Sequence, residues 1–353
     1  MSCGGMHLGR AFSQGASASC ALGARGREVP IASMGAMITV CDISALARWG
    51  EVGLAQRLGE PCPEPPDEAW PLASAAALEA IDLRGARIEA TEAHPLHILV
   101  SGEARRVRTP VVRCHIWSTT LPPDALYQLT DEVLLASPAF CLQQMAARSS
   151  LARAVAVGTE ICGRYACSPR AKDGFHRRLP LMTPDELARR FADARGYGTR
   201  RAREAVAFVL AGSRSPMETV VVLLFTLPVE AGGCGLPAPR LNATIEIPAS
   251  LQLALGKPYL VVDLCWEELG IILEYESYLF HRTRQQIDSD SARNEGLRDL
   301  SWMVRSVTEG MLADPQMRRE LVEKVSARAG IRLPTDEDYW LRQEALVREL
   351  LAL

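Results

Sequence analysis

Lysine is nearly absent from this chain: three lysines (Lys172, Lys257 and Lys324) stand against 36 arginines in 353 residues. That ratio reads as a coding bias, so an arginine cluster is a weaker binding signal here than in a chain that uses both residues. Paired cysteines are missing as well. Ten cysteines lie scattered without a CxxC, the nearest two being Cys162 and Cys167, which argues against paired-knuckle zinc modules and for reduced thiols in a cytoplasm. A zinc site built from Cys162, Cys167 and His176 would lack a second knuckle. No apolar run is long enough to span a bilayer; the longest, around 220–229, contains Thr226 and Pro228 and reads as a buried helix. No internal repeat is visible. A strong charge of either sign is absent too, the formal net charge being -3, so no global basic field advertises nucleic acid or anionic membrane, and any such binding must be local.

What is present is ordinary globular material, 48 % hydrophobic and 23 % charged, at a length that predicts two domains plus tails. Residues 1–36 are rich in Gly, Ala and Ser and lack periodicity. They read as disordered, or as a start assigned upstream of a true beginning near Met37.

From Met37 the pattern becomes regular, with Asp42 or Ser44 placed to cap a short helix through Trp49. A Pro- and acid-rich linker at 59–71 is followed by a helix-like "LASAAALEAIDL" and by strand-like "LHILV" (96–100), "VVRCHIWS" (111–118) and "DEVLLAS" (131–137). Two helices, "PAFCLQQMAARS" and "LARAVAVGTEICGRYA", complete an α+β unit over 37–170. His94, His97 and His115 lie along its strand-like stretches without ligand spacing and read as core or surface histidines.

A second unit, 175–330, opens on helices. Thr183 with Pro184 and Glu186, and Ser215 with Pro216 and Glu218, are two capping-box patterns with proline in the first turn. Between them "TRRAREAVAFVLAG" (199–212) reads as an amphipathic helix closed by Gly212. The strands "LNATIEIP", "YLVVDLCW" and "GIILEYE" follow, then a polar helix, a short strand "WMVRSVT", and a C-terminal helix over 331–353. The fold class is α/β.

Carboxylates inside apolar strands are the chemical signal. Glu274 and Glu276 are two apart and share a strand face. "EELG" is a tight connection, and a hairpin across it lets Asp263 face both glutamates at a spacing suited to one hard divalent ion. Without a cation such acids repel and raise each other's pKa. The plain alternative is a sheet with one solvated face.

The order "SPMET … VVDLCWEELGIILEYES … FH … DSDSARNEGLRDLSWMVRSVT", over roughly 200–310, resembles the very-short-patch-repair (Vsr) related endonuclease domains of the PD-(D/E)XK superfamily. The resemblance implies a restriction-endonuclease-like mixed sheet flanked by helices. It implies metal ligands at Asp263, Glu274 and the helix glutamate Glu218, a catalytic set completed by Glu276 and His281, and Mg²⁺ or Mn²⁺ as cofactor. Arg282 and Arg293 would contact nucleic acid; Asp290, Arg293 and Trp302 match the polar helix and following strand. Relatives more often carry aspartate at the position of Glu276, and the wider superfamily carries lysine; here no lysine lies between Lys257 and Lys324. The first half, through "DEVLLASPAFCLQQMA", resembles the AbiEi-type antitoxin and regulator region. Together these imply a cytoplasmic, metal-dependent DNA endonuclease of a bacterial defence, repair or mobile-element system, with DNA and a toxin or defence protein as partners and no membrane. The alternative is a catalytically silent regulator whose nuclease-fold domain only binds DNA or a partner.

Overall fold

Strand "ITV", Ile38–Val40, is only three residues long, yet it lies at the centre of a five-stranded sheet and is buried throughout. In the computed structural model of the chain the described residues are 37–62, 78–169, 171–247, 249, 252, 258–277 and 302–352. The stretch 1–36 and the first half of "LASAAALEAIDL" lie outside them.

The strands are β1 (Ile38–Val40), β2 (Leu96–Val100), β3 (Val112–Ile116), β4 (Leu126–Thr130), β5 (Val133–Ala136), β6 (Tyr165–Cys167), β7 (Phe175–Arg177), β8 (Arg240–Glu246), β9 (Tyr259–Trp266), β10 (Ile271–Tyr275) and β11 (Met303–Val307). The first sheet has the order β3-β2-β1-β5-β4. Its β1–β5 and β2–β3 pairs are parallel, and its β1–β2 and β4–β5 pairs antiparallel. The second sheet runs β11-β10-β9-β8, with β10–β11 parallel and the other pairs antiparallel. Both sheets are therefore mixed, and the class is α/β. A small β6–β7 hairpin stands apart.

Helices α1 (Asp42–Trp49), α2 (Leu54–Leu58), α3 (Pro138–Ala146), α4 (Leu151–Cys162), α5 (Pro184–Ala192), α6 (Thr199–Val206), α7 (Pro216–Thr226), α8 (Glu309–Ala313), α9 (Pro315–Arg328) and α10 (Glu337–Leu351) fill the space around them. The caps explain several starts. Ser137, Ser150, Ser215 and Asp314 each accept a hydrogen bond from a backbone N–H of the first turn. At α1 the cap expected from Asp42 or Ser44 does not form; Cys41 precedes the helix without a side-chain cap bond, and Asp42 is turned to other partners. Helix α6 stops at Val206 rather than running to Gly212. Beyond it the bonds tighten to Phe208 N–Ala205 O and Val209 N–Val206 O, the pattern of a fraying end.

Residues Gly35–Leu353 form one compact unit, and its largest apolar cluster crosses position 170. Leu142 and Val155 of the first half pack in the same core as Val221, Phe225, Leu264, Leu273 and Val347. Helix α7 is buried from Glu218 to Thr226, as its unbroken apolar run requires. A second cluster, with Ile38, Leu99, Leu135 and Phe140, fills the first sheet. No described helix is long and apolar enough to cross a membrane.

Candidate functional site

In the second sheet the β9–β10 register pairs Ile271 with Trp266, Ile272 with Cys265 and Leu273 with Leu264. Asp263 and Glu274 are the next residues of the two strands beyond the last paired positions, Leu264 and Leu273. The Tyr275 N–H donates to Asp263 Oδ2 at 2.9 Å, which fixes the rotation of that carboxylate. On the other side, Glu274 pairs with Ser306 of β11. The Ser306 hydroxyl donates to Glu276 Oε1 at 2.5 Å.

Glu218 reaches this sheet from the first turn of α7. Its two capping-box patterns make a comparison within the chain. At Thr183 the box closes, the Thr183 N–H donating to Glu186 Oε2 at 2.7 Å. At Ser215 only half of it forms: Ser215 Oγ accepts from the Glu218 N–H at 3.1 Å, but Glu218 Oε2 accepts from the Arg214 N–H and from Asn242 Nδ2, both at 2.9 Å. Asn242 belongs to β8, between the Leu241–Leu264 and Ala243–Val262 pairs, hence beside Asp263. It adopts φ +50°, a left-handed conformation that asparagine tolerates better than most residues. Burial pushes the Glu218 carboxyl upward and the Asp263 charge adds to the rise, against the pull of the Arg214 and Asn242 donors.

Glu218, Asp263, Glu274 and Glu276 do not, among the described residues, bring three carboxylate oxygens within 4.8 Å of one another. What the sheet brings together is Asp263 and Glu274, one residue past the last β9–β10 pair, with Glu218 near enough to Asp263 to feel its charge. Oxygen donors of this kind suit Mg²⁺, which is commonly held by one or two carboxylates with water and phosphate completing its shell. His281, Arg282, Asp290 and Arg293 lie outside the described residues. Trp302 packs against the cluster of Val262, Ile272 and Val304.

A second polar cluster sits in the first half. Strands β2 and β3 run parallel, with Leu99 opposite His115. The rings of His97 and His115 stack with centroids 4.9 Å apart, and His97 Nδ1 is 3.0 Å from His115 Nε2. Asp42 Oδ1 is 3.2 Å from His97 Nδ1, and Asp42 Oδ2 accepts from Arg148, whose other terminal nitrogen lies 2.6 Å from His115 Nδ1. The two histidines thus belong to one cluster, which their spacing along the chain does not announce. Asp42 is buried and left-handed at φ +56°. Its N–H donates to Gln144 Oε1, and the His97 N–H donates to Ser44 Oγ. Burial favours the neutral His115 ring and outweighs the pull of Asp42, lowering its pKa to about 4.

Cys162, Cys167 and His176 do not form such a group among the described residues. His176 Nε2 is 2.7 Å from the Gly50 carbonyl, and the Cys167 N–H donates to Glu160. Comparisons with protein families, with curated proteins and with solved structures find no match for this chain.

Proposed function

We propose that the second half of the chain is a restriction-endonuclease-like domain of the PD-(D/E)XK type, related to very-short-patch-repair endonucleases, that hydrolyses phosphodiester bonds of DNA. The observation that supports this most is the hairpin that carries Asp263 and Glu274 one residue past its last pair, Leu264–Leu273, while α7 delivers a buried Glu218 within the field of Asp263. In this reading Asp263 and Glu274 hold Mg²⁺ or Mn²⁺, with Glu218 completing the site and Glu276 orienting water. The bound ion supplies charge stabilisation for the phosphate and a more acidic water. The chain supplies position. Tyr275 N–H, Asn242 with Arg214 N–H, and Ser306 each fix one carboxylate before substrate arrives.

One observation favours a silent regulator instead. Glu276 stands where the superfamily uses lysine, and it is engaged by Ser306. A single experiment separates the two readings. The full-length protein is incubated with plasmid, single-stranded DNA and RNA, with and without Mg²⁺ or Mn²⁺. The nuclease reading expects metal-dependent cleavage that falls roughly a hundredfold or more in Asp263→Asn and in Glu274→Gln. A Mn²⁺-dependent rise in melting temperature that Asp263→Asn abolishes, without cleavage by wild type, leaves the regulator reading. Neither cleavage nor a difference between wild type and variant removes the nuclease reading and leaves the regulator reading in the lead.

A further inference from the structure

We propose that Asp42, His97 and His115 form a binding site for a single divalent transition ion of the zinc class, with Arg148 as the cation that the metal displaces. One ligand atom from each residue lies within 4.8 Å of the other two, and Asp42 Oδ1, His97 Nδ1 and His115 Nε2 are the atoms in direct contact. The Asp42–His97 and His97–His115 separations, 3.2 Å and 3.0 Å, compare with the roughly 3.3 Å that separates ligand atoms around a tetrahedral zinc at its usual bond lengths. Two imidazoles and one carboxylate make a borderline donor set, unlike the all-oxygen shell that Mg²⁺ and Ca²⁺ prefer.

Proton accounting gives an independent reason. Arginine only donates, so its 2.6 Å contact requires His115 Nδ1 to be the bare nitrogen. A neutral His115 ring then carries its hydrogen on Nε2 and points it at His97 Nδ1, which must accept. His97 Nδ1 thereby turns a lone pair toward Asp42 Oδ1, itself an acceptor, at 3.2 Å. The other tautomer of His115 repairs that contact and sets an N–H against the Arg148 donor. Every arrangement with neutral rings leaves one contact between like partners, and protonating His115 sets the same N–H against Arg148.

A divalent ion removes the conflict. All three lone pairs are used by the metal, and only the Arg148–His115 contact has to open. The Arg148 side chain is 40 % exposed and can turn to water, while that of Asp42 is 5 % exposed and cannot. The ligands are also held in advance. Gln144 fixes the Asp42 backbone and Ser44 that of His97, the kind of outer contact that keeps ligands oriented. Asp42 carries a left-handed backbone at a buried position, a strain that such clusters hold in place. Three protein ligands leave a fourth position for water or a small ligand.

The test uses the full-length protein stripped with a chelator and titrated with Zn²⁺ and Co²⁺. One ion per chain is expected, and the Co²⁺ form should show the visible bands of a tetrahedral site without the near-ultraviolet thiolate band that a cysteine site would give. His97→Gln and His115→Gln should each weaken binding at least tenfold, in the Asp263→Asn background as in the wild-type one. Arg148→Gln should bind more tightly than wild type, because the competing cation is gone. If a histidine variant fails to fold, Arg148→Gln decides alone, since its expected effect is a gain that an unfolded chain does not produce. Unchanged or weaker binding in Arg148→Gln, or wild-type affinity in a folded His115→Gln, overturns the site and leaves a structural ion-pair network.

Discussion

Asp42 and Glu218 are both buried acids beside a left-handed Asx backbone, Asp42 itself in one case and Asn242 in the other, yet their charges are answered in opposite ways. Burial alone would raise the Asp42 carboxyl. The neighbouring His97 ring and the Arg148 guanidinium overcome it and hold Asp42 well below the ordinary carboxylate range. Among the described residues the hydrogen-bond partners of the Glu218 carboxyl are neutral, the Arg214 N–H, Ser215 and the Asn242 amide, and burial keeps its pKa raised. The contrast teaches that burial does not decide the protonation of an acid by itself. A full positive charge reverses its effect, and neutral dipoles only moderate it. The first arrangement stores a charge with its counter-ion already present. The second leaves an acid that gains from a cation brought in from outside.

Loss of cleavage in Asp263→Asn or Glu274→Gln is the largest effect expected, and it would break the comparison if it failed. A smaller pair of effects sharpens it. Asp42→Asn removes a charge that Arg148 and His97 rely on, and should destabilise the protein by about 2 kcal/mol, within the range for hydrogen bonds to charged groups; the exposure of Arg148 keeps the loss below that of a fully enclosed pair. Glu218→Gln keeps an oxygen for the Arg214 and Asn242 donors and turns its amide to Ser215, so its cost should stay within about 0.5 kcal/mol. Urea unfolding of both variants at neutral pH measures the difference. Equal losses would show that Glu218, like Asp42, is held by a structural counter-charge.

The two clusters also differ in how much of each the sequence announces. Acids in the apolar runs of β9 and β10 stand out because local rules govern them: alternation fixes the face, and the "EELG" connection fixes the register within a few residues. Ser-Pro-Met-Glu announces the start of α7 for the same reason. His97 and His115 become neighbours through parallel pairing of β2 with β3, and Asp42 and Arg148 approach them from a helix start and a helix end. None of those contacts follows from spacing along the chain. Two histidines in two strand-like stretches were the available signal, and a parallel pair does not write its register into a turn. Strand β1 escapes notice because three residues buried on both faces show no alternation. In β4 the register shift between Gln128 and Thr130 disturbs it.

Glu160 supplies a third buried acid that belongs to neither cluster, and it gives the finest test of the contrast. Its Oε1 accepts from the Cys167 N–H at 3.0 Å. Arg178, buried nearby, donates to the Glu160 backbone carbonyl at 2.7 Å and acts on the carboxylate only through its field. Burial is the largest influence and the Glu160 pKa is raised, despite the Cys167 donor and the Arg178 charge. A raised carboxyl pKa means that the folded state favours the protonated form. The stability this confers is complete below the ordinary glutamate pKa and is lost as pH rises through the folded value. Glu160→Gln cannot ionise and loses that dependence while keeping an oxygen for Cys167. The variant should therefore match wild type in acid and gain on it by a few tenths of a kcal/mol to about 1 kcal/mol as pH rises to neutrality. Melting temperatures of the two proteins between pH 4 and 8 read this directly. A variant that instead falls behind wild type as pH rises would show that Arg178 answers Glu160 as Arg148 answers Asp42, and would move this acid to the other side of the comparison.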